Sequence, residues 1–174
     1  SCKADDKISA LKELNIVPVS VSYEWESCDI LKAIELYESR NIKYIKKPGE
    51  DLNSILTGIL QFKGRVHFQF CPIITEEDLV MFNDCTNNEY HKKVAKLIDQ
   101  RIMSAYKLWP NNYIAYDILY GQQRFVDRYT HEEKNRFEKH LSKLDQYEDD
   151  IDTLKDIFLG IYANPVKNML ETGR

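Results

Sequence analysis

The sequence predicts a small α/β remnant: a sheet of two or three strands covered by helices, followed by a mostly helical C-terminal region. Three observations predict it. Only Ile16–Tyr23 and Arg65–Phe70 carry a convincing strand pattern. Apolar residues at helical spacing lie before, between and after those two stretches. Beyond Thr75 no further strand pattern occurs. The pattern divides the chain into an α/β part, residues 1–74, and a helical part, residues 75–174, packed on it. A typical sheet has about five or six strands, so two suggest a sheet whose neighbours lie outside this chain.

Each element follows from its residues. Ile8, Leu11 and Leu14 recur three apart and predict a short helix over Lys7–Leu14. Ile16–Tyr23 is rich in β-branched residues, and Pro18 places the strand's start, an edge or a bulge there, because proline donates nothing to a ladder. Ser20 and Ser22 alternate with Val19, Val21 and Tyr23, so one face is expected to be strongly apolar and the other polar. Cys28–Tyr37 reads as a helix, with Asp29 in the first turn where backbone N–H groups are free. Tyr44–Ile45 is read as a brief strand or coil, and Pro48–Gly49 as a turn before a helix over Asp51–Leu60. In Arg65–Phe70, Val66, Phe68 and Phe70 share one face and Arg65, His67 and Gln69 the other.

Thr75 followed by Glu76, Glu77 and Asp78 is a helix start. Helices are then predicted over Asn88–Leu108, where Pro110 stops the pattern, and over Asn112–Tyr120, Thr130–Tyr147 and Ile151–Tyr162, with Pro165 restarting a short last one.

Composition excludes several classes. The chain has 174 residues, 43% hydrophobic and 30% charged, a balance that supports a packed core and not disorder. A formal net charge of −4 gives no broad positive field, so nucleic acid is not an expected partner. No run of about eighteen apolar residues exists to span a bilayer. Cys2, Cys28, Cys71 and Cys85 stand apart from one another and from metal-ligand spacing, which points to free thiols. No cofactor is expected.

Residues suited to chemistry are few. Glu24, Glu26 and Asp29 cluster beside Tyr23 and Trp25 at the carboxyl end of the first strand, where open sheets place ligand crevices. The same carboxylates equally suit a solvated loop and a helix start. Glu50 and Asp51 read as a helix start, and His91 and His131 as solvated or capping residues. His67 lies on the polar strand face between Arg65 and Gln69. His140 and Asp145 match an H-x4-D spacing, but on one regular helix five residues turn the side chains apart. The aromatic run Trp109–Tyr120 is best read as interhelical core. No phosphate-binding loop, dinucleotide fingerprint or nucleophile elbow is present.

Four stretches, IVPVSVSYEWESCDILKA (16–33), PGEDLNSILTGI (48–59), KGRVHFQFCPII (63–74) and IDQRIMSAYKLWPNNYIAYDIL (98–119), together resemble a known family. They are similar to the C-terminal part of bacterial glycerol-phosphate and 1-acylglycerol-3-phosphate acyltransferases, in the branch found in Bacteroides-like bacteria. The resemblance implies that residues 1–74 are the C-terminal part of an acyltransferase-like α/β domain. It implies transfer of a fatty acyl group from acyl-CoA or acyl carrier protein to a lysophospholipid or glycerol-phosphate hydroxyl. It also implies a cytoplasmic protein, held peripherally at the inner membrane surface. The family's catalytic Asn-His-x4-Asp and phosphate-binding Glu-Gly-x-Arg blocks have no counterpart here, and His140–Asp145 does not replace them. No catalytic, cofactor-binding or metal residue is therefore assigned, and this chain alone is expected to be inactive. Pro18, Ser20, Tyr23, Glu24, Arg65 and His67 are the expected walls of a substrate pocket.

Two other readings stand beside that one. The chain can be a non-catalytic helical interaction domain with a small sheet. It can also be a small independent hydrolase or metal-dependent enzyme using Glu24, Glu26 or His67. In the acyltransferase reading, apolar surface left by missing sheet neighbours favours self-association.

Overall fold

The computed structural model describes residues 4–40, 45, 48–147 and 150–171. Among them a small two-stranded sheet flanked by helices precedes a largely helical C-terminal region. The elements run α1 (Ala4–Glu13), β1 (Val19–Tyr23), α2 (Asp29–Glu38), α3 (Glu50–Leu60), β2 (Val66–Phe70), α4 (Glu76–Val80), α5 (Asn87–Ala105), α6 (Pro110–Leu119), α7 (His131–Leu141) and α8 (Ile151–Glu171). Ile45 has no regular structure, and Tyr44 lies outside the described residues.

The chain forms two compact units, each built from two separate segments. The first comprises residues 1–22 and 67–107, and the second residues 23–66 and 108–174.

In the first unit β1 and β2 pair antiparallel. Cys71 N donates to Pro18 O at 2.9 Å and Ile74 N to Ile16 O at 2.9 Å. Pro18 thus sits just before the strand, where its carbonyl accepts and its missing N–H costs nothing. A small core of Ile74, Leu79, Tyr90 and Val94 joins α4 and α5, with Ile8, Leu11 and Leu97 packed against it. The buried Lys7 lays its ammonium over the Tyr90 ring, 4.5 Å from the centroid, and donates to the carbonyls of Asn83 and Cys85. Thr75 and Asp78 form a reciprocal cap on α4, and Thr130 with Glu133 repeats it on α7.

Asp78 also takes Arg101 Nη2 at 2.6 Å, while Arg101 Nη1 holds Pro72 O at 3.1 Å. Partial burial pushes this carboxyl up. Hydrogen bonds from Thr75 and the Arg101 charge outweigh that and hold it below the usual aspartate value.

The second unit has backbone pairing of its own. Glu24 N donates to Arg65 O at 2.9 Å and Trp25 N to Lys63 O at 3.0 Å. Gly64 makes the turn into β2 possible. Its φ is +63°, and a Cβ there would lie 2.6 Å from Glu24 Oε2 and 3.0 Å from Trp25 Cδ1. The core gathers Trp25 and Ala33 with Ile114, Phe137, Leu144, Phe158, Tyr162 and Val166.

The structure corrects several expectations. The strand begins at Val19 and not at Ile16. Its serine face, expected to be polar and outward, is the buried one: Ser20 and Ser22 are enclosed while Tyr23 is exposed. In β2 the apolar face is the open one, and Val66, Phe68 and Phe70 are each at least half exposed. The helix expected to reach Leu108 ends at Ala105, and Tyr106 is already extended (ψ 126°). The helix expected over Thr130–Tyr147 ends at Leu141 and tightens into a 3₁₀ turn over Ser142–Gln146. With three residues per turn, that tightening aligns Leu141, Leu144 and Tyr147 toward the core. Pro165 does not restart a helix. It lies inside α8, where buried Tyr162, Ala163 and Val166 hold the helix together on both sides of the lost hydrogen bond.

Candidate functional site

The six expected wall residues divide between the two units. Pro18, Ser20 and His67 belong to the first, and Tyr23, Glu24 and Arg65 to the second. Two of them meet closely. Arg65 Nε and Nη2 donate to the two Glu24 carboxylate oxygens at 3.0 and 2.9 Å, and Arg65 N adds a third bond at 2.9 Å. The guanidinium also lies over the Trp109 ring, 5.1 Å from its centroid. Partial burial raises the Glu24 carboxyl, yet the bonds from Arg65 leave it below its usual value. Arg65 Nη2 also reaches Glu133 Oε1 at 3.4 Å, so this pair is a structural ion-pair cluster beside the start of β2. His67 meets Gln69 at 3.2 Å on the strand surface. Ser20 and Ser22 are buried with unpartnered hydroxyls.

The polar centre of the second unit is Asp29, which the sequence placed simply in a helix start. Its Oδ1 accepts Ile30 N at 2.7 Å. Its Oδ2 accepts Tyr162 Oη at 2.6 Å and His140 Nε2 at 2.8 Å. Tyr162 Oη in turn accepts Glu26 N at 3.0 Å. Because the carboxylate only accepts, Nε2 carries the proton and the other ring nitrogen remains for a ligand. The His140 ring stands edge-on to Trp25 at 5.0 Å. The acid that orients His140 is therefore Asp29, 111 positions away. Asp145 pairs instead with Lys155. Asn111 and Asn112, also buried, were legible in the sequence only as helix residues. Asn111 Nδ2 donates to Glu24 O at 2.6 Å and Asn112 Nδ2 to Tyr162 O at 2.9 Å.

One buried phenol, Tyr162, and one half-buried phenol, Tyr129, set the alkaline behaviour. Burial and the Asp29 charge hold Tyr162 well above the ordinary phenol value. Burial and the bond to Asp117 push Tyr129 up to about 12. A raised folded value means stability is full below pH 10, the unfolded value, and drains away as pH climbs toward 12. Phenolate absorbance from these two residues should therefore appear only together with loss of helical circular dichroism. Their ionisation at ordinary pH in a still-helical protein would contradict this burial.

A cleft of about 600 Å³ opens beside this centre, wholly within the second unit. Trp25, the start of α2, α3 and α7 line it. None of the six expected wall residues does. Cys28 borders the cleft, but its thiol is directed at Ser54 O, 3.6 Å away. Among the described residues no hydrogen bond joins it to His140, so the nucleophile–base contact of covalent catalysis is not formed. Among the described residues no group of three or more His, Cys, Asp and Glu could hold a metal ion. No helix among them is long and apolar enough to cross a membrane.

No family model, no curated protein and no solved structure matches the chain. The acyltransferase resemblance rests on the four sequence blocks alone.

Proposed function

We propose that this chain is a non-catalytic interaction domain that docks another polypeptide on an apolar ridge. One observation carries the proposal. Leu52, Ile55, Leu56, Ile59 and Leu60 form an amphipathic stripe on α3, yet they are between 47% and 78% exposed. Such a stripe ordinarily faces a core, but α3 has no buried residue at all. Its polar stripe, Asn53, Thr57 and Gln61, lines the cleft instead. Covering the ridge would recover about 5–9 kcal/mol, taking roughly 1.5–3 kcal/mol per fully buried Leu or Ile and discounting for area already covered.

Without its partner the wild-type chain is expected to sediment as concentration-dependent oligomers. The Ile55→Asp/Ile59→Asp variant should be monomeric, with stability unchanged to within about 0.5 kcal/mol. A wild-type chain that stays monomeric at millimolar concentration, or a double variant that unfolds, would refute an open ridge.

A second reading has a specific observation in its favour. The two blocks that resemble acyltransferase strands pair with each other, and both β1 and β2 remain sheet edges. In that reading the ridge is covered by an earlier part of a glycerolipid acyltransferase. Its partners would be acyl-CoA or acyl carrier protein and a lysophospholipid or glycerol-phosphate acceptor. The whole would sit in the cytoplasm, peripherally at the membrane surface. The chain alone would release no thiol from acyl-CoA. Joined to the polypeptide encoded upstream, it would do so until that segment's histidine is replaced. An inactive joined protein would remove this reading.

A further inference from the structure

The cleft has a chemistry that the docking ridge does not use. Arg136, Lys139, His140 and Lys143 line one wall, spaced three, four and seven residues from the first. Arg136, Lys139 and His140 share one face of α7, and Lys143 follows in the 3₁₀ turn beyond its end. The acids beside them are already committed. Asp29 accepts from Ile30, His140 and Tyr162. Glu26 pairs with Lys32 at 3.0 Å and accepts Cys28 N. Among the described carboxylates none forms an ion pair with Lys139 or Lys143; Arg136 meets Glu132 at 3.5 Å on the surface, and its charge also helps to lower the Glu24 carboxyl. Lys139 and Lys143 thus carry no direct ion pair, while Glu26 and Asp29 supply the acidic part of the same lining.

The rest of the cleft is different. Trp25, Ile30, Leu31 and Phe62 give it apolar surface, and Phe62 and Leu31 are exposed. Across from the cations, Asn53, Thr57 and Gln61 form an uncharged hydrogen-bonding stripe along α3. Volume, charge and apolar area together describe a site for a small molecule and not for a bare ion.

We infer that this cleft binds an amphiphilic organic anion, a negatively charged head on an apolar body. The head lies against Lys139, Lys143 and Arg136. The body lies on Trp25, Leu31 and Phe62. Charge-assisted bonds hold the head, and burial of the apolar body separates this ligand from inorganic ions. The inference is independent of the ridge, which faces away from the cleft on the same helix.

Both tryptophans of the chain, Trp25 and Trp109, belong to this unit, and Trp25 lines the cleft, so intrinsic fluorescence reads binding there. The probes are 1-naphthyl phosphate, neutral 1-naphthol and inorganic phosphate. Naphthyl phosphate should bind at least tenfold more tightly than either of the others. The Lys139→Glu/Lys143→Glu variant should lose at least tenfold in affinity, while Lys92→Glu, an exposed charge on α5, should not. Circular dichroism verifies folding, and Arg136→Gln gives a milder second variant with a smaller loss. Vesicles of phosphatidylcholine with and without phosphatidic acid distinguish the sources. Pelleting that the double variant abolishes assigns the head to a lipid. Naphthyl phosphate binding without pelleting assigns it to a soluble molecule. Equal affinity for naphthol, or charge reversal without effect, would overturn the inference.

Discussion

Phe137→Ala is expected to destabilise the second unit by about 3–5 kcal/mol, the usual range for truncating a fully enclosed phenylalanine. Phe137 is 0% exposed. Its ring stacks on Trp25 at 5.9 Å, meets Tyr162 edge-on at 5.3 Å and lies 6.0 Å from Phe158. These partners come from the end of β1 and from α8, so one ring ties three chain segments together. Truncation leaves a void that rigid aromatic neighbours fill poorly. Because both tryptophans lie in this unit, urea unfolding followed by tryptophan fluorescence reads its stability without signal from the first unit. A midpoint within error of wild type would show that the aromatic cluster does not hold the unit together.

Asp29→Ala is expected to cost a similar amount, about 3–5 kcal/mol, for a different reason. Removing the carboxylate strands the Tyr162 hydroxyl and the His140 N–H beside α2, where Asp29 is only 5% exposed. The enclosed Tyr162 hydroxyl then loses its hydration without compensation, and the half-buried His140 ring loses the group that orients it. Asp29→Asn keeps one acceptor and should cost less. Tyr162→Phe removes a single partner and should cost about 1–3 kcal/mol. Combining Tyr162→Phe with Asp29→Ala should cost less than the sum, since both act on one hydrogen-bond cluster. Strict additivity would mean that the three groups do not form a unit. The cleft wall rests on this cluster, because Asp29 fixes the His140 ring.

The outline of the fold was legible because its signals are local. Alternation in Val66–Phe70 and the acids that follow Thr75 are read within a few residues. Element type followed, with ends displaced by a few positions. What could not be read was which face meets what. The serines of β1 look solvent-directed by polarity, but the fold encloses them. The α3 stripe looks like core, but in the described chain nothing covers it. Pro165 looks like a boundary until the burial on each side of it is known.

The candidate site was less legible for the same reason. Its residues are contributed by positions 25–31, 53–62 and 136–143, and no spacing rule joins segments that far apart. His140 drew notice through a chance match to Asp145, while its actual acid lies at the opposite end of the sequence. The signal available was the run of cations at helical spacing in α7.

The interleaving of the two units bears on how this protein is made. Every residue of the first unit has emerged from the ribosome once Lys107 is clear, whereas the helices that bury Trp25 and Ala33 come later. The first unit can therefore close while residues 23–66 wait as an unfinished loop. That closure is inexpensive, because looping entropy grows only with the logarithm of length. During the wait Trp25 and the α3 leucines are bare, which makes nascent residues 23–66 the segment a chaperone would grip.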